Sequence, residues 1–189
     1  NIAFFEQYGI AGLKSYISIC DLAAERNIPV VADIKRGDIG NTAKAYCNAF
    51  LCGTDVAGRH VAPVHVDAIT VSPFLGFDTL DVFAKAALES GKGVFVLVRT
   101  SNPGSVDIQT ARNESNGKDV SSCIAEWIAK NGEALLGSSG YSSLGAVVGA
   151  THPSIAVELR KLMPHSFFLI PGYGAQGGSA KDALAGFDE

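Results

Sequence analysis

Five short apolar runs divide the sequence, and they constrain the possible folds more than any other feature. Each run contains four to seven residues and is rich in β-branched side chains, with little alternation of apolar and polar residues. A nearly continuous apolar run predicts a strand that is buried on both faces, as in a parallel sheet. The runs are Ile28–Ile34, Ala68–Val71, Gly93–Val98, Leu144–Gly149 and Phe167–Ile170.

Segments with apolar residues at helical spacing separate these runs. Strand and helix therefore alternate along the chain, which predicts an α/β fold. Because crossovers between parallel strands are right-handed, the strands either close into a barrel or form an open doubly wound sheet, and periodicity leaves both possible. The predicted helices are Ala11–Arg26, Thr42–Leu51, Thr79–Glu89, Val120–Leu136 and Ser154–Leu162.

Polar clusters follow the ends of four predicted strands, and such strand-end chemistry on one face is characteristic of the (β/α)8 barrel. We therefore expect one TIM-type barrel domain over residues 1–189. The chain opens on an apolar segment without an initiating Met and contains about five of the eight barrel strands, so we expect the domain to be incomplete at both ends. The clusters are Asp33–Asp38, Ser72–Phe74, Thr100–Gly104 and Pro171–Gly178.

Composition excludes several classes of function. The formal charge of −4 argues against a nucleic-acid surface, which normally carries clustered Lys and Arg. No apolar run approaches the roughly 20 residues that span a bilayer, so we expect no membrane contact and a cytoplasmic location. The four cysteines lack CxxC spacing and the four histidines lack metal-ligand spacing, which predicts reduced thiols and no metal site.

The strongest chemical signal is the eleven-residue segment Ala32–Thr42. Asp33 and Lys35 stand two apart at a strand end, so their side chains point to the same face, and Asp38 follows in the loop. Carboxylates beside an ammonium can hold it charged and oriented, which suits proton delivery to a developing carbanion. The alternative for an isolated Asp-x-Lys is a surface ion pair.

Two further segments could bind a small phosphorylated substrate. In the glycine-rich loop Pro171–Gly178, backbone amides, a helix predicted to start near Ser179 and the side chain of Gln176 could hold a phosphate, although a plain βα turn has the same composition. In Arg99–Gly104, hydroxyl and amide groups could read the edge of a heterocycle, or they could serve only as turn and cap residues.

The stretch DIKRGDIGNTAKAY resembles the DxKxxDI…T signature of the orotidine 5'-phosphate decarboxylases. Further similar motifs follow in order through nearly all 189 residues and match the longer bacterial and protozoan branch of the family. The resemblance implies a (β/α)8 barrel that converts orotidine 5'-monophosphate (OMP) to UMP and CO2 without metal or organic cofactor, as a homodimer. The other motifs are NIAFFEQYGIAGL, AITVSPFLGFDTL, VRTSNPGS, VVGATHP and PGYGAQGG.

The resemblance also implies roles for individual residues. Lys35 is expected to protonate C6 of the pyrimidine after CO2 leaves, and Asp33 to face the substrate carboxylate. Asp38 is expected to complete the charged array of the neighbouring subunit, where Thr42 helps to hold the ribose phosphate. The remaining substrate-binding candidates are Thr100 and Ser101 for the pyrimidine, Gln176 and Gly177 for the phosphate, and Asn1 for the ribose.

The sequence departs from the family pattern at both ends. A second catalytic lysine is expected just before Asn1 and a phosphate-binding arginine beyond Glu189, and neither is present. Lys14 and Arg160 cannot replace them, because both lie in predicted helices. We therefore expect this fragment alone to be an impaired catalyst.

Two alternatives to the decarboxylase remain open at this point. One is a magnesium-dependent sugar-phosphate decarboxylase or aldolase of the same superfamily, which shares the strand-end Asp-x-Lys. The other is a non-catalytic, truncated relative that serves as a binding module.

Overall fold

A computed structural model of the chain describes residues 1–174 and 176–187. The contacts divide the chain into two compact units, the first from Asn1 to Val94 and the second from Phe95 onward. Strand and helix alternate in both units, as the sequence predicts. Of the helices in the described residues, none has both the length and the apolarity needed to cross a membrane.

The first unit contains two parallel strands, β1 (Val31–Arg36) and β4 (Ala68–Val71), which pair with each other. Between them the chain forms an exposed antiparallel hairpin from β2 (Thr54–Val56) and β3 (Arg59–Val61). The helices of this unit are α1 (Ala3–Glu6), α2 (Gly9–Glu25), α3 (Gly40–Cys47), which continues into a π-helical turn (Asn48–Cys52), and α4 (Phe77–Ser90).

The second unit contains three neighbouring strands in the order β5 (Gly93–Arg99), β6 (Ser142–Val148) and β7 (Ser166–Leu169). The first two residues of β5 belong to the first unit. Strands β6 and β7 are parallel. The helices are α5 (Ser105–Gln109), α6 (Val120–Gly132) with a 3-10 turn (Glu133–Leu135), α7 (Pro153–Leu162) and α8 (Ala180–Leu184).

All five predicted strands and all five predicted helices are present, most of them with shifted ends. Among the strands, the largest shift is at β1, which begins at Val31 and not at Ile28. Pro29 has no N–H to donate, and the Val30 N–H donates to the Asp67 carboxylate at 2.7 Å, so ladder pairing starts one residue later. The hairpin was not predicted, because Ala57 (φ +50°) occupies a turn position where Asn or Gly usually supplies the positive φ.

Gly145 permits close packing in the second unit. A Cβ atom at this position would lie 2.6 Å from the ring of Phe95 and 2.8 Å from the Phe167 carbonyl oxygen. Real Cβ atoms do not approach other heavy atoms so closely, and a backbone carbonyl in a strand cannot move aside cheaply. The close approach of these elements therefore requires glycine.

We expect Gly145→Ala to lower the free energy of unfolding of the intact protein by about 1–3 kcal/mol, the usual cost of overpacking a core. Urea denaturation measures the change. Gly137→Ala is the matched control, because its Cβ would meet only the Tyr141 carbonyl oxygen at an ordinary 3.6 Å. Equal stability of the two variants would contradict the packing argument.

Candidate active site

Asp33 and Lys35, the third and fifth of the six residues of β1, form an ion pair. The Lys35 Nζ lies 2.6 Å from both carboxylate oxygens of Asp33, and the two side chains are 47% and 27% exposed, respectively. The prediction that these side chains share a face is therefore confirmed. Because the pair is open to solvent, a ligand can reach the ammonium.

A backbone irregularity in β1 places this pair. Ala32 pairs with Ile69 and Arg36 with Val71, so Asp33, Ile34 and Lys35 together face a single residue of β4. Lys35 adopts a positive φ of 45°, which is unfavourable for a residue with a side chain. Its N–H donates to the Thr70 hydroxyl at 2.9 Å.

Asp33 is held from two further directions. The Thr70 hydroxyl donates to Oδ1 at 2.9 Å, and the Asn1 side-chain amide donates to Oδ2 at 2.8 Å. Burial alone would raise the pKa of the Asp33 carboxyl, but hydrogen bonds from Lys35 and Thr70 outweigh it and hold that pKa below its ordinary value. Asp33 is therefore ionised at neutral pH.

Asp38 and Thr42 lie apart from this ion pair. Asp38 accepts a hydrogen bond from the N–H of the next residue, Ile39, at 2.8 Å, and Thr42 is exposed in the first turn of α3. Within residues 1–174 and 176–187, neither side chain forms a hydrogen bond or ion pair with Lys35. This chain therefore brings together Asn1, Asp33 and Lys35, whereas Asp38 and Thr42 are not joined to them.

In the second unit, Thr100 begins a polar turn directly after β5. Its backbone N–H donates to Gln109 Oε1 at 2.9 Å, and its hydroxyl accepts from Gln109 Nε2 at 2.9 Å and donates to Asn102 Oδ1 at 2.6 Å. Sequence reasoning missed Gln109, whose side chain closes this turn from nine residues away. Its position in a short helix of mostly polar residues gave no signal.

Ser101 is surrounded by close backbone approaches. A Cβ at Gly149 would lie 2.7 Å from Ser101 Cα, and one at Gly172 would lie 2.9 Å from Ser101 Cβ and 3.2 Å from Gln176 Oε1. Thr151 Oγ1 also donates to the Ser101 carbonyl oxygen at 3.0 Å. The two glycines thus allow the loop after β7 to approach the Ser101 turn.

An open cleft of about 480 Å³ lies at this turn. The side chain of Gln176 lines it and is exposed, so the predicted phosphate-loop glutamine faces a space that can hold a ligand. The other lining residues are Ser101, Asn102, Pro103, Thr151 and His152.

The backbone amides of the glycine-rich loop are less available than the sequence suggests. The Gly177 N–H donates to the Gly174 carbonyl at 2.8 Å, and the Gly178 N–H donates to Gly172 at 3.0 Å. Helix α8 begins at Ala180 as expected, but the Asp182 carboxylate accepts from the Ser179 N–H and hydroxyl in a capping box. Because this carboxylate repels anions, Gln176 is the stronger candidate for phosphate. Ala175 lies outside the described residues.

Lys14 and Arg160 lie in helices, as predicted. Lys14 is exposed on α2, and Arg160 on α7 donates to the carbonyls of Met163 and Ser166 at 3.0 and 2.7 Å. In the described part of the chain, no three His, Cys, Asp or Glu side chains form a group that could hold a metal ion.

The sequence model of the orotidine 5'-phosphate decarboxylase / HUMPS family matches residues 1–185. The chain belongs to this family. It is 46% identical to the orotidine 5'-phosphate decarboxylase of Rhodopirellula baltica, over 98% of this chain and 60% of that protein. It is also 46% identical to that of Deinococcus radiodurans, over 99% and 63%. The chain thus spans about 60% of the length of these curated relatives.

Solved structures of the family are similar to this chain. The OMP decarboxylase of Leishmania donovani superimposes with a TM-score of 0.73 at 36% identity, over 97% of this chain and 63% of that one. The UMP synthase of the same organism gives 0.76 at 38% identity, over 97% and 36%. These likenesses confirm the predicted fold class, α/β of the (β/α)8-barrel type, with five of its strands in the described part of this chain.

His152 lines the cleft, and its pKa leads to a prediction about how stability depends on pH. Burial and, to a smaller extent, the nearby charge of Arg99 lower the pKa of His152. A base with a lowered folded-state pKa contributes stability that is fully present above its unfolded pKa, about 6.5, and is lost as pH falls through the folded value.

We expect His152→Gln to reduce the loss of stability of the intact protein between about pH 7.5 and about pH 5.5, which bracket the ordinary histidine pKa. Urea denaturation at both pH values measures it. His165→Gln is the control, because His165 is exposed. In this variant the difference in stability between the two pH values should equal that of the wild type. An unchanged pH dependence in His152→Gln would refute the assignment.

Proposed function

We propose that the intact protein decarboxylates orotidine 5'-monophosphate to UMP and CO2. The observation that carries this proposal is the Asp33–Lys35 ion pair, which is open to solvent and fixed by Thr70 and Asn1. The names of the relatives, orotidine 5'-phosphate decarboxylase, support the same reaction and do not favour a sugar-phosphate substrate. Since the chain spans about 60% of their length, the activity is proposed for the whole protein.

In the proposed reaction, the bond between C6 of the pyrimidine and its carboxyl carbon breaks. The electron pair stays on C6, CO2 leaves, and the Lys35 ammonium donates a proton to C6 to give UMP. The Lys35 amine then regains a proton from solvent. The cation beside C6 stabilises the negative charge that develops there, and such preorganised charge acts most strongly in the transition state.

Asp33 has two roles in this proposal. Its ionised carboxylate keeps Lys35 oriented at 2.6 Å, and it faces the carboxylate of the bound substrate. Repulsion between the two carboxylates is relieved when CO2 departs, so this interaction favours the transition state over the bound substrate. The lowered pKa of Asp33 supports the role, because a neutral carboxyl group would exert no such repulsion.

We propose substrate-binding roles for the groups of the second unit. The Thr100 and Ser101 turn, braced by Gln109, reads the pyrimidine by hydrogen bonds. Gln176 donates to the phosphate from the wall of its cleft. Gly177 contributes through its backbone conformation (φ +92°), because its N–H already donates within the loop. Asn1, beside Asp33, contacts the ribose.

We further propose that the protein acts as a cytoplasmic homodimer without metal or cofactor. Within the described residues, Asp38 and Thr42 form no hydrogen bond or ion pair with Lys35 of their own chain, which supports the role of residues that act in the partner subunit's site. Four free cysteines are in keeping with a reducing compartment.

The proposed reaction is tested by incubating the intact protein with OMP and EDTA and following the loss of the orotate chromophore. We expect turnover in EDTA, and a fall in kcat of roughly 100- to 10,000-fold in Lys35→Ala, because proton donation is lost. Lys14→Ala, an exposed lysine on α2, is the matched control and should keep wild-type activity.

Absence of turnover in the folded wild type would overturn the proposal and favour a binding module. Activity that appears only with magnesium and a sugar phosphate would favour the related aldolases and decarboxylases.

The role of Gln176 is tested with a substrate that lacks the phosphate. We expect Gln176→Ala to lower kcat/KM for OMP by about 10- to 100-fold, the loss of one hydrogen bond to a charged group. Its activity on the nucleoside orotidine should equal that of the wild type. The control is Gln7→Ala, an exposed glutamine of the first unit. Equal losses on both substrates would argue against a phosphate contact.

A further inference from the structure

Thr70 is the only hydroxyl-bearing residue of β4, whose other members are Ala68, Ile69 and Val71. Its side chain is fully buried and touches both members of the ion pair: it donates to Asp33 and accepts from the Lys35 N–H. We propose that Thr70 is a positioning residue that sets the placement of Asp33 and Lys35 together. This inference rests on the proposed decarboxylation for its kinetic consequences.

The two hydrogen bonds fix the direction of the Thr70 hydroxyl. A hydroxyl group has one proton to donate and lone pairs to accept with. The proton goes to Asp33 Oδ1 and a lone pair receives the Lys35 N–H, each at 2.9 Å. Both bonds use the same oxygen atom, so the Asp33 carboxylate and the Lys35 backbone are tied to one point on β4.

This tie acts on the strained part of β1. At Lys35 the positive φ is unfavourable for a residue with a side chain and persists only where surrounding contacts hold it. In a regular parallel ladder the Lys35 N–H would donate to a main-chain carbonyl of a neighbouring strand. Three residues of β1 face one of β4 here, and the Thr70 hydroxyl takes the place of that carbonyl. The direction in which the Lys35 side chain leaves the strand therefore depends on Thr70.

Because Thr70 is buried, no solvent molecule can replace its hydroxyl group. Thr70 and its neighbours Ile69 and Val71 are each 0% exposed, so water cannot take over the hydroxyl's bonds. Without them, the Lys35 N–H loses its partner and one oxygen of Asp33 loses a donor. Thr79 provides a comparison in the same unit: it is also buried, at 2% exposure, but its hydroxyl donates to the Gly76 carbonyl at the start of α4, away from the ion pair.

The test compares Thr70→Val, which keeps the shape but removes the hydroxyl, with Thr70→Ser, which keeps it, and with Thr79→Val as the control for loss of a buried hydroxyl. In the intact protein we expect Thr70→Val to lower kcat for OMP by about 10- to 100-fold with KM little changed, and Thr70→Ser to recover most of it. Thr79→Val should keep wild-type kcat even where its stability falls.

A second readout does not depend on turnover. Hydrogen exchange at the Lys35 amide should accelerate in Thr70→Val and remain slow in Thr70→Ser and Thr79→Val. Wild-type kcat in Thr70→Val, equal losses in the Val and Ser variants, or unchanged protection of the Lys35 amide would each overturn the inference. If the wild type does not decarboxylate OMP, the proposed function fails, and amide exchange alone then decides whether Thr70 positions the pair.

Discussion

The pairing of β1 with β4 is the constraint on which the Asp33–Lys35 ion pair depends. A regular ladder would send Asp33 and Lys35 out at fixed two-residue spacing with ordinary backbone angles. The observed register leaves three residues of β1 opposite Thr70, so the chain must bulge, and the bulge directs the lysine ammonium onto the carboxylate at 2.6 Å. Bulges next to active sites commonly re-aim a side chain in this way.

An ion pair as exposed as this one adds little to the stability of the fold, because solvent screens it. The surrounding contacts instead fix the positions of its two charged groups. Asp33 receives hydrogen bonds from three donors, in Asn1, Lys35 and Thr70, and is therefore ionised in one fixed orientation. Catalysis by preorganised charge needs this fixed geometry, because charges that had to reorient during the reaction would stabilise the transition state less.

The cleft of the second unit follows a different principle. Around Ser101 the backbone itself approaches closely, and only glycine at Gly149 and Gly172 leaves room. The Thr100 turn is closed by Gln109, which satisfies its N–H and hydroxyl together. Turn residues that are already hydrogen-bonded lose little entropy when a ligand binds, so this cleft is preorganised as well.

The α/β class, the approximate place of each parallel strand and the shared face of Asp33 and Lys35 could be predicted from the amino-acid sequence. These follow from local rules, since hydrophobic periodicity and turn chemistry act within a few residues. The folded chain was needed to find that Thr70, 37 residues from Asp33, completes the pair, and that the Gly177 amide is used within its own loop. Strand register, bulges and close backbone approaches depend on which distant segments meet, and no local pattern in one chain encodes that meeting.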